Sequence, residues 1–321
     1  MKFSRKNLLV SLVFFVMFAC FLFFSKKTAE FAYIGLKTWF DQMIISLFPY
    51  MVLINLLIRS GLSKPFIKPL HHLLCPIFQN TESAVFVVFF GFLSGFPLGA
   101  KCAVDLYKKG DLSKTNTEYL LCFCNNLGPA YMLGFFLSVL KPDCTLSEAL
   151  FCFYGIPMLY GILLRYTLYK NALSAEYLKS KRSNPSISKA SVTISGPLFL
   201  LPDAIQSALT QLASLGGYMI LFNALRIIPH ILFSNFPGLY IAVQSLLEVS
   251  GGLLCISNAA FPEPLRTGLL FALFSFNGLC CHFQTFALLK DTPFSAQKYM
   301  LHKIVLCSIT VCSLFALRYI R

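Results

Sequence analysis

The sequence predicts an all-α polytopic membrane protein, built as two inverted-topology repeats with broken or re-entrant helices. Three observations predict it. First, 57% of the residues are hydrophobic and only 12% charged, and uncharged runs cover 7–25, 119–140, 204–225 and 267–289. A helix needs about 20 apolar residues to cross a bilayer, so these runs qualify. They are continuous rather than alternating, which excludes a β-barrel. Second, Gly, Pro and Asn clusters interrupt several of the runs in mid-stretch. Third, a segment of the first half is echoed in the second, across one hydrophilic linker.

The charge balance fits this class. The formal net charge is +14, from 27 Lys and Arg against 13 Asp and Glu. Most of the basic residues flank apolar runs, where the positive-inside bias and anionic lipid headgroups account for them, so the bilayer and no nucleic acid is the expected partner. The balance also suits an anionic solute. The twelve cysteines are scattered through apolar runs. Neither they nor the histidines show metal-site spacing, so they read as small buried hydrophobes, and neither metal nor cofactor is expected.

Taken in order, the chain opens with Lys2, Arg5 and Lys6 before an apolar run ending at Phe24. No convincing cleavage site follows, which makes residues 1–33 an uncleaved signal-anchor helix with a cytoplasmic N-terminus. A second segment covers 34–58, with Trp39 as an interface anchor. Pro65, Pro69 and Pro76 break 62–79 too often for a clean span, so it reads as interfacial or re-entrant.

The first half is organised around 91–110, GFLSGFPLGAKCAVDLYKKG. Ser94, Gly95, Pro97 and Gly99 should break the helix, and at membrane depth a break requires protein or a watery cavity to satisfy the freed backbone groups. Lys101 and Asp105 then share one face of the resumed helix. A packing kink with snorkelling charges is the plainer reading; a transporter-type substrate site is the functional one. A second break follows at Asn125, Asn126, Leu127, Gly128 and Pro129. Two adjacent asparagines there need partners, either another helix or a solute. A further span covers 148–169.

Residues 165–189 form the one plainly hydrophilic stretch, with six basic residues against the single acid Glu176. Beyond it, GYMILFNAL at 217–225 repeats PYMVLINLL at 49–57, matching Tyr50 with Tyr218, Met51 with Met219 and Asn55 with Asn223. A weaker echo relates the 91–99 break to 274–278, which contains Asn277 and Gly278. Duplication explains both. Between them, Glu248 is the only charged residue from 227 to 262, followed at once by Ser250, Gly251 and Gly252. An ionisable residue at membrane depth marks a functional site unless it pairs with a lysine or caps a helix. The last span covers 304–316, and the basic C-terminus is expected in the cytoplasm.

The domain reading is therefore a signal anchor (1–33), a first membrane repeat (34–170), a basic cytoplasmic linker (171–196) and a second repeat (197–321). A re-entrant hairpin over 70–99 keeps the N-terminus, Lys108 and the linker on one side. The Tyr50 helix then runs inward and the Tyr218 helix outward.

SGFPLGAK with DLYKKGDLSK, then CNNLGPAYMLG, then SLLEVSGG resembles the sporulation integral membrane proteins of the YlbJ type. These are grouped with nucleoside-recognition or Gate domain proteins. The resemblance spans about 41–299. It implies a spore-forming bacterium, a cell or forespore membrane, and passage of a small anionic metabolite such as dipicolinate, with other sporulation membrane proteins as partners.

Together these readings give a transporter or facilitator for a small polar, anionic solute. Its candidate substrate-binding residues are Ser94, Gly95, Gly99, Lys101, Asn125, Asn126, Glu248, Ser250, Asn277 and Gly278. Half-helix N-termini would meet a carboxylate, Lys101 would add charge, and Glu248 would hold a coupling proton or cation. The alternative is a non-transporting scaffold for spore development, acting through the linker. No enzyme is expected, because neither HExxH nor GxSxG is present, and Walker A is missing too.

Overall fold

The structure, a computed structural model, describes residues 5–140, 144–182 and 197–320. Every regular element among them is helical, with no strand. Five helices are long and apolar enough to cross a bilayer: Ser25–Arg59, Leu146–Tyr166, Leu201–Phe233, Glu263–Leu289 and Ala296–Ile320. A sixth candidate is the pair Ser63–Phe78 and Glu82–Leu93, bent by 95° as a broken span or re-entrant loop. This is an integral membrane protein of helices.

An apolar helix, α1 (Arg5–Phe23), leaves most of its side chains exposed, a surface suited to lipid. The first half then runs α2 (Ser25–Arg59), α3 (Ser63–Phe78), α4 (Glu82–Leu93), α5 (Leu98–Lys108), α6 (Lys114–Leu121), α7 (Pro129–Val139) and α8 (Leu146–Tyr166). After α9 (Lys170–Arg182) the second half runs α10 (Leu201–Ala224), α11 (Ile227–Phe233), α12 (Pro237–Leu247), α13 (Val249–Ser257), α14 (Glu263–Phe276), α15 (Gly278–Leu289) and α16 (Ala296–Ile320). Each half thus has a long helix, a short helix, two broken helices and a closing span. The element order sets the 94–97 break against Glu248, and the 125–128 break against Asn277.

The helices that carry the echoed segments pack against each other, with the Asn55 segment beside Ala204 and the Met219–Asn223 segment beside Gly35. Trp39 Nε1 donates to Leu212 O at 2.8 Å, and Asn55 Nδ2 to Ala204 O at 3.3 Å, so α2 and α10 run antiparallel. From Tyr50 to Asn55 and from Tyr218 to Asn223 the two helices pass through the same six burial classes in the same order.

Local chemistry sets the helix starts. The hydroxyls of Thr81 and Ser113 accept from Ala84 N and Asn116 N, capping α4 and α6. The side chains of Asn80 and Asn116 pair with each other at 2.8 and 2.7 Å, joining those two starts. The linker is more structured than its composition suggests, for 170–182 is helix α9, while 183–196 lies outside the described residues. Leu173 of α9 is buried, and Glu176 accepts from Ser113 Oγ at 2.7 Å. Arg165 is not a linker residue. It is fully buried and donates to Phe78 O at 2.8 Å and Gln79 O at 3.1 Å, a cation on the carbonyl end of α3.

The last helix fixes which ends of the bundle are shared. α16 is a 25-residue helix, about 37 Å long at 1.5 Å per residue. At its start Lys298 pairs with Glu118 of α6, and near its end Arg318 pairs with Glu263 of α14. The α6 end carries α9, Lys64, Lys108 and Lys109, so Arg318 lies at the opposite end of the bundle from α9. A continuous α16 leaves no turn to bring Arg318 back to the α9 end. Single cysteines replacing Lys108 or Lys170 in a cysteine-depleted chain should label from one face of the membrane, and Tyr319→Cys from the other. Labelling of all three from one face would contradict this arrangement.

Candidate functional site

In the first half, α4–α5 crosses α6–α7 at their breaks. Gly95 has φ +78°, and Gly128 packs where its side chain would stand, with Ser94 O 2.8 Å from a Cβ built on Gly128. Gly99 meets the carbonyl of Cys124 in the same way. In the second half, α14 ends at Asn277 with φ +77°, and Gly278 with φ +71° lies beside Val249 N and Leu246 O. Broken helices therefore cross in each half.

Polar bonds join the two crossings. Tyr131 and Ser250 share a hydrogen bond of 2.9 Å between their hydroxyls. Asn125 Nδ2 donates to Thr285 Oγ1 at 3.0 Å and Tyr299 OH at 3.1 Å, while its Oδ1 accepts from Ala100 N at 3.3 Å. Asn126 Oδ1 accepts from Lys303 Nζ at 2.8 Å. Both asparagines thus have protein partners.

A cavity of about 50 Å³ lies where the crossings meet, walled by Ser94, Gly128, Tyr131, Glu248, Ser250 and Gln284, among others. The structure thus brings Ser94, Glu248 and Ser250 together. Gly278 backs the Glu248 turn, and the buried Asn277 amide has no hydrogen-bond partner among the described residues. Glu248 links α12 to α13 in extended backbone, and its carboxylate accepts from Ser250 N at 3.0 Å and Gly251 N at 2.8 Å. The start of α13 is thus occupied by a side chain of the same protein, as is Ala100 N at the start of α5.

Lys101 stands apart from Glu248. It is buried and bonded to Asp105, as their shared helix face predicts. It lines two further cavities. One, of about 280 Å³, is walled by Gln211, Tyr218 and Gln284; the other, of about 260 Å³, by Arg59, Asp105, Lys108 and Ser207. Gln284 walls both the 50 Å³ and the 280 Å³ cavities, and Lys101 walls both the 280 Å³ cavity and the third.

Two buried cations were not anticipated as site residues. Lys303 is 0% exposed, and its ammonium is held by Asn126 alone among the described residues. Arg226 donates to Asn223 Oδ1 at 3.0 Å, bonds Gln244, and packs over Gly251 behind the Glu248 turn. The signal for Lys303 was Ser295, which accepts from Lys298 N at 3.2 Å and starts α16 well before residue 304.

The chain is 26% identical over 235 residues to sporulation integral membrane protein YlbJ of Bacillus subtilis (strain 168), covering 70% of this chain and 57% of that protein. It therefore spans little more than half the length of that relative. The relationship supports the resemblance carried by the three motifs. No family model matches the chain. No solved structure matches it.

Proposed function

We propose that this chain is a membrane transporter or facilitator for a small polar, anionic solute, acting in sporulation as the name of its Bacillus relative suggests. One observation carries the reading: two pairs of broken helices meet around a cavity that holds a buried carboxylate. Two further cavities lie beyond it, the first sharing Gln284 with the crossing and both sharing Lys101. Breaks at membrane depth are costly unless protein or a watery cavity satisfies them, and transporters use such breaks for their sites. The antiparallel, equally buried α2 and α10 segments support an inverted-topology duplication of the Gate type.

The outer cavity carries Arg59, Lys101 and Lys108 against Asp105, a balance that favours a carboxylate solute of the dipicolinate class. By the positive-inside bias this end faces the cytoplasm. In this reading Lys101 exchanges Asp105 for the solute, and Glu248 holds the coupling charge. The scaffold reading loses support because α9, the linker segment it would rely on, spends Leu173 and Glu176 on its own bundle.

The test is solute accumulation per molecule of membrane protein, with labelled dipicolinate as the probe. Lys101→Met deletes one charge-assisted hydrogen bond of about 1.5 kcal/mol, so uptake should fall about tenfold. Glu248→Gln should abolish uphill accumulation and leave exchange intact. Wild-type accumulation per molecule in both variants would remove the assignment.

A further inference from the structure

The cavity at the crossing is too small for a metabolite. Its volume of about 50 Å³ accommodates a few water-sized bodies, against about 280 Å³ in the neighbouring cavity. Its polar wall is made of oxygen. Glu248 is 2% exposed, and each carboxylate oxygen accepts one backbone N–H, leaving lone pairs unspent. Among the described residues it has no Lys, Arg or His at ion-pair distance. Ser94, 6% exposed, ends α4 with a hydroxyl that has no partner. Gln284, 5% exposed, turns its amide nitrogen to Cys280 Sγ at 3.3 Å and leaves Oε1 without a donor.

A buried acceptor left without a donor costs about 1–3 kcal/mol, and a buried carboxylate more. Three such groups, from α4, the α12–α13 turn and α15, wall the same small space. Water could supply donors to them but brings no charge, and the nearby Arg226 commits its guanidinium to Asn223, Gln244 and the face of Phe31 rather than to the carboxylate. A hard cation answers both needs, because it takes only oxygen ligands and brings the missing charge. Glu248 is the only acid on the wall, so one positive charge balances the cavity and two would not.

We propose that Glu248, Ser94 and Gln284, with the Tyr131 and Ser250 hydroxyls beside them, bind a sodium-sized monovalent cation at the crossing of the breaks. The site stands on this geometry, and only its coupling role rests on the transport reading. Gln284 walls both this cavity and the larger one, so an amide turned toward the ion alters the space offered to the solute.

The test uses the full chain in detergent and sodium itself as the probe, at fixed pH and ionic strength. Binding of ²²Na⁺ should saturate near one ion per chain. The unfolding midpoint should rise in NaCl but not in N-methylglucamine chloride. Ser94→Ala removes a hydroxyl that has no partner in the fold, so it should fold normally while weakening sodium binding by about tenfold, as one lost ligand of ~1.4 kcal/mol implies. Glu248→Gln should abolish binding. Absence of saturable ²²Na⁺ binding, equal midpoints in the two salts, or undiminished binding in Ser94→Ala would overturn the site. So would a midpoint that follows pH with no sodium dependence, which would leave a proton on Glu248 instead. Sodium binding with no solute uptake would overturn the transport reading and leave the ion site standing.

Discussion

Gly99→Ala is expected to remove the folded protein from the membrane. A Cβ at Gly99 would overlap the carbonyl oxygen of Cys124 and stand 2.8 Å from its carbonyl carbon. Both are backbone atoms, so no rotamer change relieves the clash. The Cys124 carbonyl cannot retreat either, because Asn125 beside it is tied to Ala100, Thr285 and Tyr299. Separating the two broken helices would therefore break those bonds as well. Overpacking alone costs about 1–3 kcal/mol and each buried bond lost about 1–3 more, which is most of the stability of an ordinary domain. Gly134→Ala is the control, since nothing lies within 4 Å of its added Cβ. Fluorescence-detected gel filtration should show a normal peak for Gly134→Ala and loss of the peak for Gly99→Ala. A normal Gly99→Ala peak would mean that the breaks do not cross as described.

The breaks themselves were legible because Gly, Pro and paired Asn are conspicuous inside apolar runs. The re-entrant reading of 62–79 rests on Pro65, Pro69 and Pro76, yet Ser63–Phe78 is one helix holding Pro69 and Pro76 inside it, and the 95° bend follows at 79–81. The Lys101–Asp105 contact followed from helical spacing. What sequence could not supply was the partner across the chain. Asn125 meets Thr285 and Tyr299 from 160 and 174 residues away, and Tyr131 meets Ser250 from 119. Periodicity within a segment carries no information about which face of another segment it meets. The helix ends were the other gap. Glu248 satisfies its own turn, an outcome indistinguishable in sequence from a free site carboxylate. Lys303 reads as a flanking charge if the span begins at 304, since lysines before apolar runs ordinarily snorkel to the interface. With α16 starting at Ala296, it sits two turns inside.

That position makes Asn126→Leu more damaging than Lys303→Met, although lysine is the larger loss of atoms. The Asn126 amide is fixed by Nδ2 donating to Phe123 O at 2.7 Å, which aims Oδ1 at the ammonium. Lys303 has no carboxylate in reach among the described residues. Removing the acceptor strands a cation in the bundle, a change of the kind that costs about 3–5 kcal/mol. Removing the cation leaves only an amide oxygen unpartnered, at about 1–3 kcal/mol, while methionine refills most of the volume. In the double variant neither polar group remains, so it should be more stable than Asn126→Leu alone, with an interaction energy of about 1–3 kcal/mol. Unfolding midpoints of the four proteins in one detergent measure this cycle. Additive losses would show that the two side chains are not coupled, and an Asn126→Leu protein as stable as wild type would show that Lys303 is not held by Asn126.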